Sequence, residues 1–253
     1  MKKRRWFSLF LSFALLLPLF SLTSADAYED FDLDAKAGLL IEADTGEILY
    51  EKNAHQENFP ASLTKVMVAL LVFEAIDEGK IALTDSVTAT ESAFEGLSSD
   101  GSTANIVPGE TMTVEQLLNC MLIVSANEAC NILGETLYGS VDAFVARMNE
   151  RATELGCEHT HFANATGLHN SQHYTTAWDL YLITREAMKH DKFMEICNSK
   201  SYTVPATNMT DKPRELHSTN FLISNWRARG YVYRDAQGIK TGSTPEAGRS
   251  RTV

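Results

Sequence analysis

The chain has 253 residues, 44% hydrophobic and 22% charged, the composition of an ordinary soluble globular protein with room for one large domain or two small ones. Its formal charge of −11 argues against binding nucleic acid or an anionic membrane through a basic surface. Beyond the first residues, no stretch is long and apolar enough to span a bilayer.

The opening residues, MKKRRWFSLFLSFALLLPLFSLTSADA, run from four cations through an apolar core to small residues. This is the layout of a secretory signal, with Ala25-Asp26-Ala27 as the cleavage site. The apolar run from Trp6 to Leu22 also nears the length of a membrane span, so an uncleaved anchor is the alternative, and both readings export the rest. Removing residues 1–27 takes away Lys2, Lys3, Arg4, Arg5 and Asp26, leaving a formal charge of −14. An acidic linker follows over residues 28–35, and a single domain is expected over 36–253.

Within that domain, AGLLIEADTGEILYEKN reads as two short strands around an Asp44-Thr45-Gly46 turn. Asp-Thr-Gly is also the catalytic triplet of aspartic proteases, but those need two facing carboxylates and no second triplet occurs. From Ser62 to Gly79, Val66, Leu70, Phe73 and Ile76 recur at helical spacing. The Ser/Gly-rich run SAFEGLSSDGSTANIVPGETMT is expected to be irregular. Two apolar helices follow, split by Ser125-Ala126. Another begins after the N-cap Ser140, with Phe144, Met148, Ala152 and Leu155 on one face and Gly156 at its end. TTAWDLYLITREAMKHD is amphipathic, and YVYRDAQGIKTG has strand character. The fold class is therefore mixed α/β (α+β), without internal repeats.

Cys120, Cys130, Cys157 and Cys197 do not have the spacing of a zinc or redox motif, and four buried thiols are expected. His159, His161, His169 and His173 are clustered enough to raise a metal site, but the chemistry below needs no metal.

That chemistry starts with PASLTKVM. Ser62 and Lys65 lie three residues apart at a helix start and share one face. A serine hydroxyl needs a base to become a nucleophile, and lysine can serve if burial and nearby cations lower its pKa. Alone, Ser-x-x-Lys is a weak signal. Ser125-Ala126-Asn127 adds polar side chains between two apolar helices, where they need a reason to be. Lys240-Thr241-Gly242 adds a cation and a hydroxyl for a carboxylate, and a glycine that lets a ligand backbone approach a strand. The three motifs in this order form a strong joint signal.

With GLLIEADTGEILYEKN, VPGETMTVEQLLNCMLIVSANEACNILGE, FANATGLHNSQHYTTAWDLYLI and GIKTGSTPEAG, the chain resembles serine-type D-alanyl-D-alanine carboxypeptidases, the low-molecular-mass penicillin-binding proteins, over roughly residues 36–248. The resemblance implies the penicillin-binding-protein/serine β-lactamase-like transpeptidase fold, a helical subdomain beside an antiparallel sheet. It implies that Ser62 attacks the penultimate D-alanine carbonyl of a peptidoglycan stem peptide ending in D-Ala-D-Ala. Lys65 is then the general base and Ser125 a proton relay beside it. Asn127 holds the substrate amide, and Lys240 and Thr241 receive the terminal carboxylate. Gly242 completes the strand motif, and the backbone N–H groups of Ser62 and Ser243 form the oxyanion hole. β-Lactams would acylate Ser62. No cofactor or metal is implied.

A class A β-lactamase would also need Glu-x-x-Leu-Asn between Asn127 and Lys240, and none occurs. A transpeptidase would differ only in its acceptor. The resemblance further implies an apolar strand after the Ala-Gly turn, another strand, a closing helix, a second domain and a C-terminal membrane anchor. Here RSRTV stands in the place of the apolar strand. The expectation is a C-terminally truncated chain, lacking its last strands, helix and anchor. Its Lys-Thr-Gly strand would lack an inner neighbour and its catalysis would be impaired.

Overall fold

In the computed structural model, which describes residues 33–252, every element belongs to one unit, Lys36–Val253. The signal-like segment 1–27 and most of the acidic linker lie outside the described residues. The elements are strands β1 (Gly38–Ile41) and β2 (Ile48–Lys52), a 3₁₀ turn (Ala61–Thr64), helix α1 (Lys65–Asp77), and strands β3 (Ser86–Thr88) and β4 (Thr111–Thr113). There follow helices α2 (Val114–Ile123), α3 (Asn127–Tyr138), α4 (Val141–Glu154), α5 (Ala177–Ala187) and α6 (Asp191–Cys197). Strands β5 (Ser201–Val204), β6 (Arg214–His217), β7 (Lys240–Thr244) and β8 (Gly248–Thr252) close the order.

Helix α1 is the centre of the core. Its residues from Lys65 to Phe73 are all buried, as expected of a helix apolar on every side. It packs against α2, α3, α4 and α5. Arg151 of α4 reaches Glu74 of α1 through Nε at 2.9 Å and Nη2 at 2.7 Å. Local signals set the ends of the surrounding helices. Thr113 and Gln116 form a reciprocal capping box before α2. The Ser140 side chain accepts from the Ala143 N–H before α4, which buries Phe144, Met148 and Ala152. Thr176 caps α5 in the same way.

Four antiparallel strand pairs lie around this helical body: β1–β2, β3–β4, β5–β6 and β7–β8. The β5–β6 hairpin is tied to the loop that leads into β4 by a nearly buried ion pair. Arg214 of β6 bonds both oxygens of Glu110, which is 1% exposed, and also the carbonyls of Ala104 and Asn105. Such a pair holds position strongly, because losing one partner would leave the other charge buried alone.

Three expectations are corrected. The run Tyr231–Tyr233 is exposed and irregular, and the strand starts only at Lys240. It has strand propensity but no ladder partner, and propensity alone does not make a strand. The polar RSRTV stretch does pair with the Lys-Thr-Gly strand, from Lys240↔Thr252 to Thr244↔Gly248. The turn makes this possible: Pro245–Ala247 is a three-residue loop, Ala247 N–H donates to Thr244 Oγ1 at 3.0 Å, and Gly248 takes a φ of +73°. Among the described residues no strand joins β8 to the β1–β2 hairpin. Finally, Cys120, Cys130 and Cys197 are buried free thiols, but Cys157 is only half-buried.

Candidate active site

The three motifs, up to 178 positions apart in sequence, meet at the start of α1. The 3₁₀ turn Ala61–Thr64 leads straight into Lys65, and side chains three apart eclipse in such a turn. Lys65 Nζ consequently lies 3.2 Å from Ser62 Oγ. It also donates to Asn127 Oδ1 at 2.8 Å and to the Thr166 carbonyl at 2.6 Å. The three protons of an ammonium thus have three acceptors. The side chain is 0% exposed, and desolvation holds its pKa below the ordinary lysine value, opposed by the nearby Glu128 carboxylate.

A second buried amine stands beside the first. Lys240, 1% exposed, donates to Ser125 Oγ at 3.1 Å and to the Thr241 carbonyl at 2.8 Å. Burial, and then the charge of Lys65, push its pKa down to about 7. Two amines this closely coupled titrate as a pair. Ser125 has a φ of +67° in the break between α2 and α3, and its hydroxyl meets Lys240 rather than Lys65.

Asn127 opens α3. Its N–H donates to the Ser102 carbonyl at 2.9 Å, and the adjacent Glu128 carboxylate accepts from Thr103 Oγ1 and Ala104 N–H, each at 2.7 Å. These bonds fold the irregular 101–106 segment over the site. The cavity there, about 240 Å³, is lined by Asn127 together with Phe94, Leu97, Gly101 and Ser102.

On the opposite side, β7 presses on the 3₁₀ turn. A Cβ at Gly242 would lie 2.9 Å from the Pro60 carbonyl oxygen and 3.1 Å from the Ser62 nitrogen, so only glycine lets the strand come this close. Thr241 Oγ1 meets Thr219 Oγ1 at 2.7 Å, and Ser243 follows on the strand with its side chain exposed. The structure therefore gathers Ser62, Lys65, Ser125, Asn127, Lys240, Thr241 and Gly242, with Ser243 next in line. Sequence reasoning missed Thr166, which contributes only a carbonyl, and Thr219 and Glu128, which act by holding others.

The four clustered histidines have separate partners. His159 meets Glu57, His161 the Gln172 carbonyl, His169 the edge of Phe59, and His173 the Thr64 hydroxyl. Among the described residues no group of three His, Cys, Asp or Glu side chains is arranged to hold a metal.

Chemically, the arrangement offers a hydroxyl beside an amine with a lowered pKa, and a second amine and a hydroxyl on a strand that a bound backbone can follow.

Residues 23–252 match the family described as D-alanyl-D-alanine carboxypeptidase. The chain is 39% identical over 214 residues to D-alanyl-D-alanine carboxypeptidase DacF of Bacillus subtilis, covering 85% of this chain and 52% of that protein. It is 31% identical over 236 residues to a D-alanyl-D-alanine carboxypeptidase of a Streptomyces species, strain K15, covering 89% of this chain and 77% of that one. The crystal structure of the Streptomyces K15 DD-transpeptidase superposes with a TM-score of 0.77 at 31% identity, over 88% of this chain and 85% of that one. The chain thus spans about half the length of DacF and most of the K15 protein.

Gly242→Ala is expected to cost about 1–3 kcal/mol, read by urea unfolding, because the new methyl meets backbone rather than a movable side chain. An unchanged midpoint would mean that β7 does not bear on the turn.

Proposed function

Given that the chain belongs to the D-alanyl-D-alanine carboxypeptidase family, whose mixed helical and antiparallel-sheet fold it shares, we propose that it removes the terminal D-alanine from peptidoglycan stem peptides through an acyl-enzyme. The observation that carries the reading is the fully buried Lys65 amine, held 3.2 Å from the Ser62 hydroxyl.

Ser62 Oγ attacks the carbonyl carbon of the penultimate D-alanine, and its proton passes to the unprotonated Lys65 amine. The 3.2 Å contact then runs the other way, the hydroxyl donating to nitrogen. The tetrahedral oxyanion takes hydrogen bonds from the backbone N–H groups of Ser62 and Ser243. Breaking the C–N bond releases D-alanine, whose amine takes up, through the Ser125 hydroxyl, the proton that Lys65 gained from Ser62, so that Lys65 is unprotonated again. The Lys240 ammonium donates to that hydroxyl at 3.1 Å and orients it. Water then hydrolyses the ester and restores Ser62. Asn127 orients the substrate amide, while the Lys240 ammonium and the Thr241 hydroxyl receive the substrate carboxylate. A β-lactam enters the same route and stays as the acyl ester on Ser62.

The reaction belongs outside the cytoplasm, on the cell-wall side of the membrane, in keeping with the cationic-then-apolar start of the sequence. Among the described residues no helix is long and apolar enough to cross a membrane.

A second reading, transpeptidation, draws support from the K15 protein, which carries both the carboxypeptidase and the transpeptidase name. A pentapeptide ending in D-Ala-D-Ala, incubated with and without an amine acceptor, separates them. Free tetrapeptide acid is expected in both; amide product alone, with no acid, would overturn the carboxypeptidase reading.

The paired amines also set a pH profile. The rate constant at low substrate should fall on the alkaline side as Lys240 loses its proton at about 7. Lys240→Arg keeps its charge throughout, so the alkaline fall should vanish. An identical fall in both proteins would remove Lys240 from carboxylate binding.

A further inference from the structure

The turn that carries Ser62 is held in an unfavourable shape. Ala61, just before it, has a φ of +49°, in the left-handed region that is unfavourable for a residue with a side chain. Such a conformation persists only where neighbours fix it. Two of them grip the Ala61 carbonyl. The Thr64 hydroxyl donates to it at 2.8 Å. The Gly167 backbone also approaches so closely that a Cβ there would lie 1.9 Å from that oxygen.

The Thr64 hydroxyl has a single proton, and the Ala61 carbonyl takes it. The contact of 2.8 Å between Thr64 Oγ1 and His173 Nε2 must therefore be a bond in which the imidazole donates. The other ring nitrogen agrees, since His173 Nδ1 accepts the Ala163 N–H at 3.2 Å. An imidazole that accepts at Nδ1 and donates at Nε2 is neutral and in one tautomer. His173 is 2% exposed, and burial, with His161, Lys65 and His169 nearby, pushes its pKa down to about 4. The segment is anchored at the same place, since Asn58 and Thr175 exchange backbone bonds of 2.8 and 3.0 Å.

We infer that His173 is a positioning residue for Ser62: its Nε2–H orients the Thr64 hydroxyl, which holds the Ala61 carbonyl and so fixes the strained turn that aims the Ser62 side chain. The relay runs from Ala163 N–H to His173, to Thr64, to Ala61, and touches no substrate. The inference rests on the reading of Ser62 as nucleophile.

The test uses the full chain and a fluorescent penicillin, with His173→Leu, Thr64→Val, the double variant, His173→Gln, and Ser62→Ala as the blank. Folding is checked by circular dichroism, and Thr64→Val, nearly the same size as threonine, serves if His173→Leu does not fold. The limiting acylation rate should fall about tenfold to a hundredfold in each single variant, with the half-saturating concentration unchanged. The double variant should be no slower than the worse single, because both break one relay. His173→Gln, which can donate from its amide, should recover most of the rate. Hydrogen exchange of the peptide spanning residues 59–66 should quicken in Thr64→Val. Folded single variants with the wild-type limiting rate, or losses that multiply in the double, would overturn the inference. If the wild-type chain takes no label, the Ser62 reading fails, and the exchange measurement alone decides: unchanged exchange rejects the positioning role, and faster exchange supports it.

Discussion

Lys65 carries an amine into a place where water cannot reach it, and the rest of the site depends on how that cost is met. Removing an ammonium from water is unfavourable by several kcal/mol even in a relaxed protein interior. The fold offsets this with three acceptors from three parts of the chain: Ser62, Asn127 and the Thr166 carbonyl. What remains unbalanced lowers the pKa, and that imbalance is what lets a lysine act as a base. The surrounding apolar helix α1 therefore sets the state of the amine, because a wetter helix would leave Lys65 an ordinary cation.

The same logic explains the second amine. Lys240 enters from β7, and its charge and that of Lys65 oppose each other in a shared low-dielectric space. The strand brings it in because Gly242 allows backbone to touch backbone at the Ser62 turn. Pairing with β8 holds β7 straight over its five residues, and Ile239 N–H adds a bond of 2.9 Å to the Thr252 carbonyl. The ladder supplies the order that the side chains of RSRTV, mostly polar, do not.

Legibility in the sequence follows the kind of interaction. That Ser62, Lys65, Ser125, Asn127 and Lys240-Thr241-Gly242 gather in one place was readable, because they form three ordered motifs of chemically distinctive side chains. Helix α4 was readable because its cap at Ser140 and its buried stripe Phe144, Met148 and Ala152 are local. Thr166 was not, since any residue could supply its carbonyl. The β5–β6 hairpin was not, because the Arg214–Glu110 pair that ties it down joins residues 104 positions apart. Strand β8 was misjudged because its pairing comes from the Pro245–Gly248 turn rather than from apolar alternation. The role of His173 was hidden as well: a histidine in a histidine-rich run suggests a ligand, and only the contacts reveal a donor to Thr64.

On the proposed function, the hydroxyl beside the buried amine is the group that reacts. The most direct measurement is peptide mass spectrometry of the full, folded chain after incubation with benzylpenicillin. One penicilloyl adduct is expected, on the peptide that contains Ser62, and none in Ser62→Ala. An adduct on another residue, or no adduct on a folded chain, would contradict that function.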